Sequence, residues 1–119
     1  MAAAVLQGVP VVTSDIDFWI GSPEHEHDRV LLICHKLGAK IVTDHIVELA
    51  DGLEVNFTYR VDGLPGFKTE FKRAKRLLWL NRRVAVLPLE RLIKSKQAVG
   101  RAKDRAHLVY LRQALKLKK

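Results

Sequence analysis

A chain of 119 residues, 48% hydrophobic and 29% charged, has the length for one domain with a modest core and the composition of a soluble globular protein. No uncharged run approaches a membrane span, and Met1-Ala-Ala-Ala-Val-Leu-Gln7 lacks the basic start and long apolar stretch of a signal peptide. The lone cysteine, Cys34, excludes an internal disulfide and points to a reducing, cytoplasmic setting.

The net charge of +8 is unevenly spread. Residues 1–66 hold 4 Lys and Arg against 10 Asp and Glu, a net −6, whereas residues 67–119 hold 17 against 3, a net +14. An acidic half able to hold cations, joined to a strongly basic half, suits a protein that handles a polyanion such as a nucleotide or RNA. A solvated basic surface, or a chain missing part of an acidic partner, would leave the same mark.

In chain order, Met1 to Gln7 reads as the tail of a helix closed by Gly8 and Pro10. Val11 to Ile20 reads as a strand, and at its centre lies Asp15-Ile16-Asp17. Successive strand side chains alternate in direction, so Ile16, Phe18 and Ile20 face one way and the two carboxylates stand together on the other. Two acids that close repel unless a cation sits between them. Mg²⁺ is commonly held by one or two carboxylates, with phosphates completing its shell. A bare D-x-D is equally what two solvated residues on the polar face of an edge strand look like.

Gly21-Ser22-Pro23-Glu24 predicts a helix start, with Ser22 as N-cap, Pro23 at the first position and Glu24 and Glu26 in the first turn. The helix should run to about Leu37 and stop at Gly38, with Cys34 as a small buried side chain within Val30-Leu-Leu-Ile-Cys34. Two strand-like runs follow, Lys40 to Ala50 and Leu53 to Val61, and Asp51-Gly52 between them predicts a hairpin. In the second run Val55, Phe57 and Tyr59 share one face, and Glu54, Asn56 and Thr58 the other.

Beyond the turn Gly63-Leu-Pro-Gly66, the pattern predicts a short basic helix from about Phe67 to Lys75. A second hairpin follows, Leu77 to Leu80 with Val84 to Leu87 around Asn81-Arg82-Arg83. Helices over Leu89 to Val99 and Ala102 to Leu117, broken by Gly100, finish the chain. The expected fold is a single α+β unit with helices packed on one face of a small, mixed, mostly antiparallel sheet.

The last two helices carry an anomaly. Leu89, Leu92 and Ile93 form an apolar stripe whose next member by helical spacing is Lys96. An inward lysine is unusual unless its ammonium reaches an anion or a carboxylate. In the second helix Leu108, Leu111 and Leu115 form the stripe, with Asp104 one turn before on the same side. Lys96 snorkelling to water and Asp104 merely capping its helix are the plainer alternative. The histidines His25, His27, His35, His45 and His107 read as ordinary surface or core residues, and no Ser-His-Asp order, P-loop or G-x-G-x-x-G is present.

Taken together, Gly8-Val-Pro-Val-Val-Thr-Ser-Asp-Ile-Asp-Phe-Trp19 and Pro88-Leu-Glu-Arg-Leu-Ile-Lys-Ser-Lys-Gln-Ala-Val-Gly-Arg-Ala-Lys-Asp104 resemble the minimal nucleotidyltransferases of the DNA polymerase β superfamily, in their bacterial abortive-infection and toxin–antitoxin branch. That branch carries T-x-D-I-D near its start and L-I-x-x-K-x-x-x-x-R-x-K-D near its end. Thr13, Asp15, Asp17, Leu92, Ile93, Lys96, Arg101, Lys103 and Asp104 match position by position, in the same order.

The resemblance implies a nucleotidyltransferase-like fold in which Asp15 and Asp17 bind Mg²⁺ (or Mn²⁺) carrying a nucleoside triphosphate. A nucleotidyl group would pass to a hydroxyl on RNA or protein, with a cognate toxin–antitoxin protein as partner and no membrane. Thr13, Ser14, Lys96, Arg101 and Lys103 would meet the nucleotide, with Asp104 in a structural role. Two departures accompany the match. The family's Gly-Gly or Gly-Ser pair, which cradles phosphate at the start of the preceding helix, is not found, as a late start codon or a truncated family member would each explain. Its third metal-binding carboxylate falls at Val55-Asn56, where Asn56 can offer a carbonyl oxygen to a metal but cannot act as a general base. Loss of catalysis would leave the alternative of a basic module that binds nucleic acid or a partner.

Overall fold

The computed structural model describes residues 1–117 except 12, 14, 22 and 80, with 23–26 described by their backbone alone. The elements in chain order are α1 (Ala2–Leu6), β1 (Asp15–Trp19), α2 (Pro23–Lys36), β2 (Lys40–Thr43), β3 (Ile46–Glu48), β4 (Glu54–Thr58), α3 (Phe67–Arg73), β5 (Lys75–Trp79), β6 (Arg82–Val86), α4 (Leu89–Val99) and α5 (Ala102–Leu117). This is a mixed α+β chain. Its residues gather into two units, 13–60 and 1–12 with 61–119.

Residues 13–60 build a four-stranded sheet in the order β1-β4-β3-β2, in which β1 runs parallel to β4 and the other neighbours are antiparallel. The β1–β4 register sets Ile16 beside Val55 and Phe18 beside Phe57, and Val47 of β3 lies next to Val55. Those positions share one face. Val47, Val55 and Phe57 are buried there with Ala39, and Val30, Leu31 and Cys34 of α2 pack on them. The Phe18 and Phe57 rings stack with centroids 6.1 Å apart. Apolar residues at alternate strand positions thus meet the apolar side of α2, and burial of that surface holds the unit together. Partial burial among these side chains raises the pKa of the Cys34 thiol.

The expected first strand run, Lys40 to Ala50, is in fact two strands. Thr43 Oγ1 accepts the His45 backbone N–H at 3.3 Å, and the Asp44 carboxylate meets His45 Nδ1 at 2.8 Å. These local bonds compete with the ladder and turn the chain, and the register shifts between Ile41 and Thr43. The Asp51-Gly52 turn does form, with Asp51 Oδ1 accepting the Leu53 N–H at 3.0 Å. Predicted features that fall on Ser22, and on the side chains of Glu24, His25 and Glu26, lie outside the described residues.

The other unit contains α1, α3, the β5–β6 hairpin, α4 and α5. Ala4, Val9, Leu89, Leu92 and Leu111 form its core, with Ile93, Ala114 and Leu115 packed against them. The leucine stripes expected for the last two helices do face this core. Buried Gln7 ties α1 to the segment before α4, its amide donating to the carbonyls of Ala3 at 3.0 Å and Leu87 at 2.8 Å. The helix α3 ends at Arg73, two residues before its expected limit, because Ala74 is extended (ψ 140°) and leads straight into β5. The hairpin turn is also tighter than expected. Trp79 pairs with Arg82, so Arg82 and Arg83 belong to β6, and Asn81 takes the left-handed conformation (φ 65°) that asparagine tolerates. Among the described residues no helix is long and apolar enough to cross a membrane.

Glu70 of α3 is buried, and Arg91 of α4 grips it through Nε and Nη2, each 2.7 Å from a carboxylate oxygen, with Arg73 at 3.6 Å. The loop before α3 comes close to α4 at Gly63, whose φ is +79°. A Cβ there would stand 2.5 Å from Ala98 Cβ and 3.2 Å from the Lys94 carbonyl oxygen. Gly63→Ala is therefore expected to lower unfolding free energy by about 2–3 kcal/mol, combining left-handed strain with displacement of the loop. Urea denaturation of the two proteins would measure it, and an unchanged midpoint would contradict the close approach.

Candidate functional site

On the sheet, the alternation that buries Val55 and Phe57 sends Asp15 and Asp17 to the opposite face. The β1–β4 register places Asp15 beside Glu54 and Asp17 beside Asn56, and the β3–β4 register adds Glu48 beside Glu54. Four carboxylates and one amide thus occupy three neighbouring strands on one face. Asn56 Nδ2 donates to Asp15 Oδ2 at 3.2 Å. Thr13 Oγ1 donates to the Asp15 carbonyl at 2.8 Å, and its contact with Asp15 Oδ1 is longer, at 3.4 Å. Asp15 and Asn56 are half-buried and Asp17 is exposed. Ser14 lies outside the described residues.

This donor set suits a hard cation, since oxygen ligands are what Mg²⁺ and Mn²⁺ take. Among the described residues no three His, Cys, Asp or Glu side chains are grouped so as to hold a metal on their own. A cation here would rely on Asp15, Asp17, the Asn56 carbonyl oxygen and ligands brought by a bound phosphate. Glu48 is the one acid on this face that sequence reasoning did not single out. Its signal was the spacing across Asp51-Gly52, which pairs it with Glu54.

In the other unit, α4 and α5 meet at Gly100, whose left-handed backbone (φ 68°) ends α4 and returns its N–H to the Lys96 carbonyl at 2.9 Å. Asp104, in the first turn of α5, is fully buried. Its carboxylate accepts from Lys96 Nζ at 3.1 Å, from Arg101 Nε at 2.7 Å and from the Arg101 backbone N–H at 3.1 Å. The last of these is the side-chain-to-backbone half of a capping box. Lys96 therefore meets a carboxylate of its own chain, as one reading of its stripe required. The Arg101 guanidinium, aided by Lys96, holds the Asp104 carboxyl far below the usual carboxylate range, against burial, which pushes the other way. Lys103, by contrast, is exposed on α5.

Among the described residues the histidines do not assemble into a site. His27 hydrogen-bonds the Tyr59 hydroxyl, His45 pairs with Asp44, and His107 is half-buried with its pKa pushed down chiefly by desolvation.

A group whose pKa is depressed on folding stabilises the fold above its unfolded value, near 4 for an aspartate, and loses that contribution as pH falls through its folded value. Asp104→Asn is accordingly expected to be about 2 kcal/mol less stable than the parent at pH 7. The gap should close as pH is lowered from 4 towards 2. Urea titrations across that range would measure it, and a gap that stays constant with pH would show that Asp104 is not charged in the fold.

Compared with known proteins, the chain matches no family model, no curated protein and no solved structure.

Proposed function

We propose that this protein is a metal-dependent nucleotidyltransferase-like domain that transfers a nucleoside monophosphate from a nucleoside triphosphate to a hydroxyl on RNA or protein, as a cytoplasmic component of a toxin–antitoxin pair. The observation that carries this is the common face on which Asp15, Asp17 and Asn56 meet. The resemblance of the two terminal motifs to minimal nucleotidyltransferases supports it independently.

In that reaction the acceptor oxygen bonds to the α-phosphorus while the bond to pyrophosphate breaks, and catalysis is largely alignment and charge neutralisation. Mg²⁺ or Mn²⁺, when bound, would supply that neutralisation at the triphosphate. Asp15 and Asp17 would hold it, with Asp15 oriented by Thr13 and by the Asn56 amide. Asn56 cannot take the acceptor's proton, so an acid on the same face, Glu54 by its register beside Asp15, is the base available for that step. The resemblance alone assigns Lys96, Arg101 and Lys103, which belong to the other unit, to phosphate. The Lys96 ammonium has three donor protons and gives one to Asp104, which leaves two for a second partner.

One observation favours a second reading. The amide that stands in place of the family's third carboxylate donates to Asp15, a hydrogen bond that itself requires no cation. A chain that has lost catalysis and kept the fold as a basic binding module would look the same at this position.

Pyrophosphate release from each nucleoside triphosphate, with Mg²⁺ or Mn²⁺ and total RNA as acceptor, tests the enzyme. Asp17→Asn, a change at an exposed side chain, is expected to lower the rate at least 100-fold, in line with loss of a charge that stabilises the transition state. Calorimetric titration would accompany it. No binding of metal and nucleotide by the intact protein, together with an indifferent Asp17→Asn variant, would refute the nucleotide-handling role. Binding without turnover, gained on Asn56→Asp, would assign the second reading.

A further inference from the structure

The β5–β6 hairpin is a feature that the nucleotide site does not use. Residues 75–86 contain Lys75, Arg76, Arg82 and Arg83 and no acid. The nearest preceding acid, Glu70, is buried and committed to Arg91, so it does not neutralise the ribbon from below. The strand register divides the cations between the two faces. Lys75, Leu77 and Trp79 share a face with Arg82, Val84 and Val86, while Arg76 and Leu78 share the other with Arg83 and Ala85.

Burial distinguishes these faces. Val86 is buried and Leu77 and Val84 are half-buried, so the first face is turned inward along most of its length. At its open end stand Trp79, 46% exposed, and Arg82 directly across from it. On the outward face Leu78 is 74% exposed beside Arg83, and the Arg76 guanidinium lies 4.5 Å from the centre of the Phe71 ring. An exposed indole is costly to leave in water. Here it sits at the end of a ribbon whose every charged side chain is positive.

We propose that the β5–β6 hairpin is a docking surface for single-stranded nucleic acid, with Trp79 stacking on a base and Arg82, Arg83 and Arg76 contacting phosphates. Cations that follow a backbone, combined with an aromatic platform, are the two elements such binding needs, and stacking on an indole requires a base free of its duplex partner. Guanidinium groups match phosphate with two parallel hydrogen bonds, which favours arginine at these positions over lysine. The site needs neither nucleoside triphosphate nor metal, so it stands or falls apart from the catalytic role.

A fluorescein-labelled 12-nucleotide oligouridine, titrated with the full chain in EDTA at several salt concentrations, reads the binding by anisotropy. Trp79→Ala is expected to weaken binding about tenfold with the salt dependence unchanged. Arg82→Gln with Arg83→Gln should flatten the slope of log K against log salt by about 1.4, or about 0.7 per phosphate contact released. These arginines are exposed, so the double variant keeps the test open if Trp79→Ala fails to fold. Lys116→Gln, an exposed cation on α5, should change neither affinity nor slope. The proposal is overturned if the parent protein does not bind, if the hairpin variants bind like the parent, or if a duplex of equal length binds as tightly and Trp79→Ala is harmless.

Discussion

Residues 1–12 and 61–119 carry 17 Lys and Arg against 4 Asp and Glu, and two of those four acids, Glu70 and Asp104, are buried where each holds two cations. A net charge of +13 on so few residues opposes compaction by self-repulsion. Glu70 draws Arg73 and Arg91 together across α3 and α4, and Asp104 draws Lys96 and Arg101 together across the α4–α5 junction. A buried carboxylate with hydrogen bonds from charged donors is costly to assemble and more costly to leave half-assembled. The helices that bury Leu89, Leu92, Leu108 and Leu111 therefore depend on both clasps. The unspent cations, on the hairpin and along α5, are left to face solvent.

The sheet meets the opposite difficulty. Residues 13–60 hold 4 Lys and Arg against 9 Asp and Glu, a net −5, and the register brings Asp15, Asp17, Glu48 and Glu54 to one face. Moving any of them would require a one-residue slip, which would also expose Val47, Val55 and Phe57. The apolar side thus fixes the acidic side. Asn56 lies among the carboxylates as a neutral donor and satisfies Asp15 without adding charge. An acid at that position would add repulsion that only a bound cation could relieve. The amide therefore makes the metal-free fold easier to sustain and the metal-bound one less obligatory.

Legibility from sequence followed the range of the interaction. Period-two alternation around Asp15 to Phe18, and the glycines Gly38 and Gly100 that end α2 and α4, are local signals. The helices stop where those glycines put them, while the strand expected over Val11 to Ile20 is paired only over Asp15–Trp19. The split of Lys40 to Ala50 was also local, but its cause is side-chain bonding by Thr43, Asp44 and His45 inside a run whose hydrophobic pattern reads as one strand. Lys96 announced itself by its place on an apolar stripe. That its partner is Asp104 depends on how α4 folds back against α5, which spacing alone does not give. The Glu70–Arg91 pair, 21 residues apart, was missed. Its trace in the sequence was that Glu70 is the only acid between residues 63 and 89. The division into two units was not read from the sequence, because Asp62-Gly63-Leu-Pro-Gly66 at the second crossing has the composition of an ordinary turn and the first crossing runs directly into a strand.

A net charge of one sign in each unit, +13 in one and −5 in the other, gives each a chemistry of its own. Carboxylates surrounded by carboxylates bind cations more readily than an isolated pair would, because every neighbour adds to the potential. Arginines in a strongly positive neighbourhood gain the matching advantage for polyanions, and lose it with rising salt. Among exposed arginines, those beside an aromatic platform have a further contact to offer a base. Trp79 places that platform at the open end of the hairpin, where Arg82 stands across from it and the ladder no longer needs its side chains. A β-ribbon is a rigid way to hold such a pair, since cross-strand register fixes their separation before any ligand arrives. Binding there would spend little on ordering the protein, and its strength would be set by stacking and phosphate contact alone.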